Sequence, residues 1–148
     1  MKTVVVLRGV PGSGKSTYIK TNYPLASVCS ADDFFLDKNG KYVWDPKKID
    51  SAHSTCLRKF LHNLQSGLET VVVDNTNVRL WEIAPYVALA KAYGYEAKII
   101  RINIPAKTAA NRNVHGVPLA TVNKMIKGFE RALPWWNEEV IEAAGVVG

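Results

Sequence analysis

Short apolar runs rich in β-branched residues alternate along this chain with longer segments whose apolar residues recur every three or four positions. Four runs, at 3–7, 26–29, 70–73 and 97–102, read as buried strands. The third contains Val71-Val72-Val73, the unbroken apolar pattern of a strand covered by helices on both faces. Between the strands, Ile49, Ala52, His53, Cys56, Leu57 and Phe60 keep the spacing of one helical face, and Gly67 is suited to end that helix. Leu80, Ile83, Val87 and Ala90 predict a second helix closed by Gly94, with Pro85 starting its main part or kinking it. Leu119, Val122, Met125, Ile126 and Phe129 predict a third, with Pro118 in its first turn. A last short helix is predicted from Asn137, whose side chain can cap it. This alternation predicts a three-layer α/β domain with a mainly parallel sheet of about four strands, joined by right-handed crossovers and flanked by helices.

A length of 148 residues suits one such domain over 1–148. The longest purely apolar run, at 4–7, is far short of the roughly 20 residues of a membrane-spanning helix. The first residues carry no cleavable leader pattern. Cys29 and Cys56 are too few for a disulfide framework and stand at no metal-ligand spacing, so they are expected as reduced, packed thiols. These features predict a cytoplasmic protein. The net charge of +6 favours polyanionic partners, because a basic surface concentrates phosphate-bearing ligands around itself.

Candidate chemistry begins directly after the first strand. Gly9-Val10-Pro11-Gly12-Ser13-Gly14-Lys15-Ser16, followed by Thr17, is a complete G-x-x-x-x-G-K-[ST] pattern between a predicted strand and a predicted helix. Its glycines allow a tight turn that points several backbone N–H groups into one concavity, and the next helix adds the positive end of its dipole. Gly12, Ser13, Gly14, Lys15, Ser16 and Thr17 are therefore the expected nucleotide-phosphate contacts. Lys15 supplies charge to the β- and γ-phosphates, and the Ser16 hydroxyl is placed to ligate Mg²⁺. ATP with Mg²⁺ is the ligand this loop predicts.

Two polar clusters follow the second and third predicted strands: Ser30-Ala31-Asp32-Asp33 and Asp74-Asn75-Thr76-Asn77. Ligands in an open parallel sheet bind beyond the carboxyl ends of the strands, so both clusters should face the loop. A carboxylate there can hold hydrated Mg²⁺ or take a proton from an attacking hydroxyl. It can equally cap a turn, the reading that suits Asp33 and Asn77.

Taken together, residues 9–17, 30–34, 74–77 and Arg112-Asn113-Val114-His115-Gly116-Val117 resemble the polynucleotide 5′-kinase group of P-loop kinases, the phage end-healing enzymes and their stand-alone relatives. The resemblance runs on through Trp81-Glu82, Tyr93-Gly94-Tyr95 and Met125, to about residue 130. It implies a P-loop kinase that transfers the terminal phosphate of ATP to the 5′-hydroxyl end of DNA or RNA. Asp32 falls on the family's general base, and Arg112 on a lid arginine that meets the ATP phosphates. Asp74, Asn77 and Trp44 are the candidates for acceptor contact. The pattern departs in two places: Phe35 stands where the phage enzymes carry an acceptor-binding arginine, and Val114-His115-Gly116 replaces a second lid arginine. His115 could supply the missing donor or could merely pack. No Asp-x-Asp phosphatase motif is present, so a kinase without phosphatase is expected.

Residues 38–48 interleave Lys38, Lys41, Lys47 and Lys48 with Tyr42 and Trp44, either to stack and track an unpaired strand or as a solvated loop with its aromatics on the core. Trp135 and Trp136 are expected to pack the last helix on the sheet. Two other readings of the whole remain open: a P-loop kinase for a nucleoside or sugar, and an ATP-binding regulatory module without turnover.

Overall fold

The computed structural model describes residues 1–143. Its sheet has five strands, all parallel: β1 (Thr3–Arg8), β2 (Ser27–Cys29), β3 (Thr70–Asp74), β4 (Glu96–Asn103) and β5 (Glu138–Glu142), in the order β2-β3-β1-β4-β5. The helices are α1 (Lys15–Asn22), α2 (Ile49–Gln65), α3 (Leu80–Ala92), α4 (Ala106–Arg112) and α5 (Leu119–Gly128). Val4, Val6, Val71 and Val73 point to one face of the sheet and pack with Cys56 and Phe60 of α2 and Ile83 and Val87 of α3. Val5, Leu7, Val72 and Ile100 point to the other face, where Ile19 of α1 covers them. Burial on both faces explains why these strands read as continuous apolar runs instead of alternating ones.

The fifth strand corrects the expected last helix. Glu138–Glu142 pairs with β4 from Ile99↔Glu138 to Asn103↔Glu142. Val140-Ile141 is β-branched, and the open edge of β4 offers a ladder that a short isolated helix could not match. Asn137 caps nothing there; its carbonyl accepts from the Ile99 N–H at 2.8 Å. Trp136 joins the core beside this strand, whereas Trp135 is largely exposed. α3 is continuous through Pro85, which lies inside it instead of starting it. Pro118 precedes α5 as its cap rather than entering the first turn. The seven-residue α4 was absent from the sequence reading, because its Ala-rich stretch has too little apolar periodicity to announce a helix.

The strand order reverses at β1: its chain neighbours in space, β3 and β4, lie on opposite sides. A crevice therefore opens beyond the carboxyl end of β1, the place where open α/β sheets bind ligands. Register puts the candidate residues there, since Leu7, two residues before the loop, pairs with Asp74.

Candidate active site

The phosphate-binding loop leaves β1 at Gly9 and enters α1 at Lys15. Gly14, just before α1, has φ of 100°, and Gly12 has φ of 82°. A side chain at Gly12 would also strike the carbonyl oxygen of Ala109 at 2.2 Å, so α4 sits directly on the loop. The Lys15 ammonium donates to the carbonyls of Gly9 at 2.7 Å and Val10 at 3.2 Å. Burial holds its pKa below the usual lysine range, while the carboxylates of Asp74 and Asp32 oppose that fall. Ser13 Oγ is buried without a hydrogen-bond partner among the described residues. An unsatisfied hydroxyl, a buried ammonium and a glycine cradle suit a polyphosphate, so the residues present fit the group that the motif implies.

A cleft of about 290 Å³ lies over this loop. Gly12, Gly14, Lys15, Ser16 and Thr17 line one side, and Asp32, Asp74, Asn75 and Thr76 line another. Arg112, Asn113, Val114 and His115 close it from the α4–α5 connection. A larger concavity, about 440 Å³, lies by Pro24, Leu25 and Leu68 at the amino ends of the strands, the wrong end for this fold. Among the described residues no group of three or more His, Cys, Asp or Glu could hold a metal by itself. A magnesium ion would rely on the Ser16 hydroxyl, the neighbouring Asp74 carboxylate and the oxygens of a bound nucleotide.

Asp32 stands in a single 3₁₀ turn, Ala31–Phe35, that follows β2. The cap of that turn is Ser30, whose hydroxyl accepts from the Asp32 N–H; neither aspartate has the capping role considered for Asp33. The turn is fixed from below by Asn75, whose Oδ1 accepts from the Ala31 N–H at 2.9 Å while its amide reaches the Cys56 thiol. Asp32 itself points outward with its side chain 59% exposed. Asp74 is more enclosed, and burial raises its pKa while Lys15 pulls it down.

Two sequence candidates, Asn77 and Trp44, fare differently, and so does the departure at Phe35. Asn77 is neither helix cap nor cleft wall: it is 1% exposed, at φ of 50°, with its amide donating to the Leu7 carbonyl at 2.7 Å. That bond locks the β3–α3 turn to β1, so Asn77 has no surface left for an acceptor. Trp44 is 55% exposed, and the cleft is lined without it. Phe35, in the place of the phage arginine, is buried and packs edge-on against Tyr42.

Arg8 was missed. It is fully buried between the strand and the loop, where its guanidinium donates to Glu138 at 2.8 Å and to the carbonyls of Asn77, Val78 and Glu130. It also lies over Phe129, which Arg101 covers as well. One side chain at the end of β1 thus ties together the β3–α3 turn, the segment after α5 and β5. A charge following an apolar strand with no room for solvent was the available signal, since arginine is rarely buried unpaired.

The family pattern of the AAA domain matches residues 4–132. The chain belongs to the AAA-domain family. Human NEDD4-binding protein 2 is 33% identical over 135 residues, covering 86% of this chain and 8% of that protein. The chain spans between 7% and 11% of the length of the first curated relatives it matches. Among solved structures, a chain of the Pnkp1/Rnl/Hen1 RNA repair complex superposes with a TM-score of 0.69 at 20% identity, over 86% of this chain and 44% of that one. A sugar kinase from Janibacter sp. HTCC2649 superposes with a TM-score of 0.62 at 17% identity, over 96% and 86%. These likenesses give a P-loop kinase-like fold. No helix among the described residues is long and apolar enough to cross a membrane.

Proposed function

We propose that this AAA domain is an ATP- and Mg²⁺-dependent kinase that phosphorylates the 5′-hydroxyl end of a nucleic acid. One observation carries the reading: an exposed carboxylate, Asp32, faces the phosphate loop across a single cleft that also takes in Lys15, Ser16 and Arg112. A carboxylate on the far side of the γ-phosphate can take the proton of an attacking hydroxyl, the step a kinase needs. In this reading Asp32 takes the proton of the acceptor hydroxyl. The hydroxyl oxygen bonds to the γ-phosphorus, the bond to the β,γ-bridging oxygen breaks, and ADP leaves. Lys15 and Arg112 offset the charge on the transferred group, and Lys15 stays in place by its bonds to Gly9 and Val10. Bound Mg²⁺ would withdraw charge from the phosphate oxygens.

Charge supports a polyanionic acceptor, although not where the sequence pattern placed it. From Asp32 to Asp50 five aspartates face four lysines, so the segment with Trp44 has no basic excess. Between Ala106 and Arg131, Lys107, Arg112, Lys124, Lys127 and Arg131 stand against Glu130 alone. All five are exposed, and among the described residues none of them forms an ion pair. The likeness to a chain of the Pnkp1/Rnl/Hen1 RNA repair complex adds support at the level of fold.

A second reading, a kinase for a small hydroxyl compound, draws on the buried Phe35, which leaves no arginine to hold a strand phosphate beside the base. The test is γ-labelled ATP with 5′-hydroxyl DNA, 5′-hydroxyl RNA, nucleosides and sugars. Label on the oligonucleotide 5′ ends is the expected result. Label on a nucleoside or sugar alone would replace the first reading with the second.

A further inference from the structure

The connection between α4 and α5 reaches both ends of the cleft at once. Its first residues are organised by one side chain. Asn113 Nδ2 donates to the carbonyls of Ala110 and Val117 at 3.0 Å each, and Oδ1 accepts from the Val117 N–H at 2.8 Å. Residues 113–117 are thereby closed into a tight turn, with Gly116 at φ of 69° inside it. The start of this turn rests on the phosphate loop, because the Asn113 N–H lies 2.8 Å from where a Gly12 Cβ would stand. Arg112, the last residue of α4, precedes it and lines the cleft.

From the far side of the same turn His115 reaches across to the acceptor wall. Its Nε2 lies 3.6 Å from Asp32 Oδ2. Its ring stacks on Tyr42, with centroids 4.1 Å apart and planes inclined by 31°. The Tyr42 hydroxyl in turn donates to Asp32 Oδ1 at 3.5 Å. Burial and the neighbouring Asp32 charge push the Tyr42 pKa up to about 12, so this hydroxyl keeps its proton at neutral pH. Tyr42 is anchored independently of the lid, by packing on Phe35 and by a single antiparallel β-bridge with Leu36. Both oxygens of Asp32 are therefore addressed, one from its own loop and one from the lid. At 3.5 and 3.6 Å the contacts are too long to add much stability, and their consequence is orientation.

We propose that His115 is a positioning residue: it orients the Asp32 carboxylate through the lid turn, so that the base is set only when the Arg112 side of the same turn is seated over the phosphate loop. The proposal rests on the reading of Asp32 as the base of a kinase. It explains why a lid that contacts the donor carries an imidazole at its tip rather than a second guanidinium. A guanidinium there would serve the donor phosphates, whereas the stacked imidazole faces the acceptor base.

Two experiments test it. The first is a double-mutant cycle on transfer to a 5′-hydroxyl oligonucleotide, or to whichever acceptor the wild-type protein uses. His115→Ala should lower kcat about tenfold with little change in KM for ATP, and His115→Gln should recover part of the loss. In the Asp32→Asn background, His115→Ala should cost nothing further, because its effect runs through the carboxylate. Multiplying losses would mean that His115 touches substrate itself, and would overturn the proposal. The second needs no substrate: Tyr42→Leu should move the His115 ring resonances in the NMR spectrum, since the ring loses its stacking partner. Unmoved resonances would show that His115 does not stack on Tyr42, with the same consequence. Transfer to a sugar but not to an oligonucleotide would remove the nucleic-acid acceptor while leaving the cycle to decide on His115. Absence of transfer to every acceptor would remove Asp32 as a base and this proposal with it.

Discussion

In the proposed reading, the donor side of the cleft takes its groups from residues 9–17, one continuous stretch running from the end of β1 into α1, with Arg112 added from α4. The acceptor side is assembled from Asp32 and Tyr42 after β2, Asp74 to Thr76 after β3, and His115 before α5. On the donor side, backbone conformation does the positioning: two glycines at positive φ and a helix start aim the N–H groups. Side chains do that work on the opposite side, where Asn75 holds the turn of Asp32, and Tyr42 and His115 stand 3.5 and 3.6 Å from its carboxylate. A site built on backbone geometry is insensitive to its surroundings, while one built on side-chain contacts between loops can be retuned by single substitutions. That difference suits a fold found also in a sugar kinase and an APS kinase.

The sharpest way to break this comparison is to silence one side and watch the other. Asp32→Asn should lower transfer by roughly 10²- to 10⁴-fold, the usual worth of a general base. Its affinity for ATP, followed by titration calorimetry, should change little, because Asp32 stands opposite the loop. Asp33→Asn, exposed and outside the lining of the cleft, should remain close to wild type. Equal losses in the two variants would mean that the turn as a whole, not one carboxylate, matters.

Lys15→Ala is the converse variant. Removing one charge-offsetting donor costs roughly 10²- to 10³-fold in turnover. Here ATP affinity should fall as well, since the same ammonium meets the ground-state phosphates. The fold should survive, because Lys15 bonds only to its own loop and burial of its charge opposes folding. Intact turnover with an altered melting temperature would remove the loop from the chemistry.

The same contrast decides what could be read before the fold was known. The phosphate loop was fully legible, because its chemistry, spacing and conformation all lie within one short stretch. The first four strands were legible too, β1 and β3 most plainly, because burial on both faces writes a continuous apolar run. β5 was not, since its outer face is exposed and Glu138 is explained only by Arg8, 130 positions away. Asn77 read as a cap because asparagine after a strand usually is one; its inward amide depends on a carbonyl 70 positions earlier. The pairing of His115 with Asp32 and Tyr42 is equally non-local, and no periodicity announces it. Asp32 and Arg112 became candidates through family resemblance, while their shared cleft comes from the topology of the sheet.

A smaller effect tests how far the acceptor side extends. Trp44 lies outside the cleft with over half its surface exposed, beyond the turn that holds Asp32. If a base of the acceptor strand stacks there, Trp44→Ala should lower kcat/KM for an oligonucleotide about tenfold, within the range measured for such stacking. A nucleoside, too short to reach it, should be unaffected. Equal losses for both would assign Trp44 a structural part in the segment that carries Tyr42.

The smallest expected effect concerns the lid, where the two sides meet. Lys124 and Lys127 lie one turn apart on α5, exposed and opposite the face on which Val122 packs against Val10 and Ala109. Neither contributes to that packing, so replacing both with glutamine should leave the melting temperature nearly unchanged. If an acceptor strand crosses the lid, each lysine neutralises one phosphate and releases the counterions around it. The logarithm of affinity for a single strand then falls with the logarithm of salt by about 0.7 per contact. The double variant should reduce the magnitude of that slope by about 1.4, with an affinity loss that shrinks as salt is raised. ATP binding should not respond, because its phosphates sit in the loop beneath α4. A slope equal to that of the wild type would place the strand elsewhere, and a loss shared by ATP would show that the lid lysines serve the donor instead.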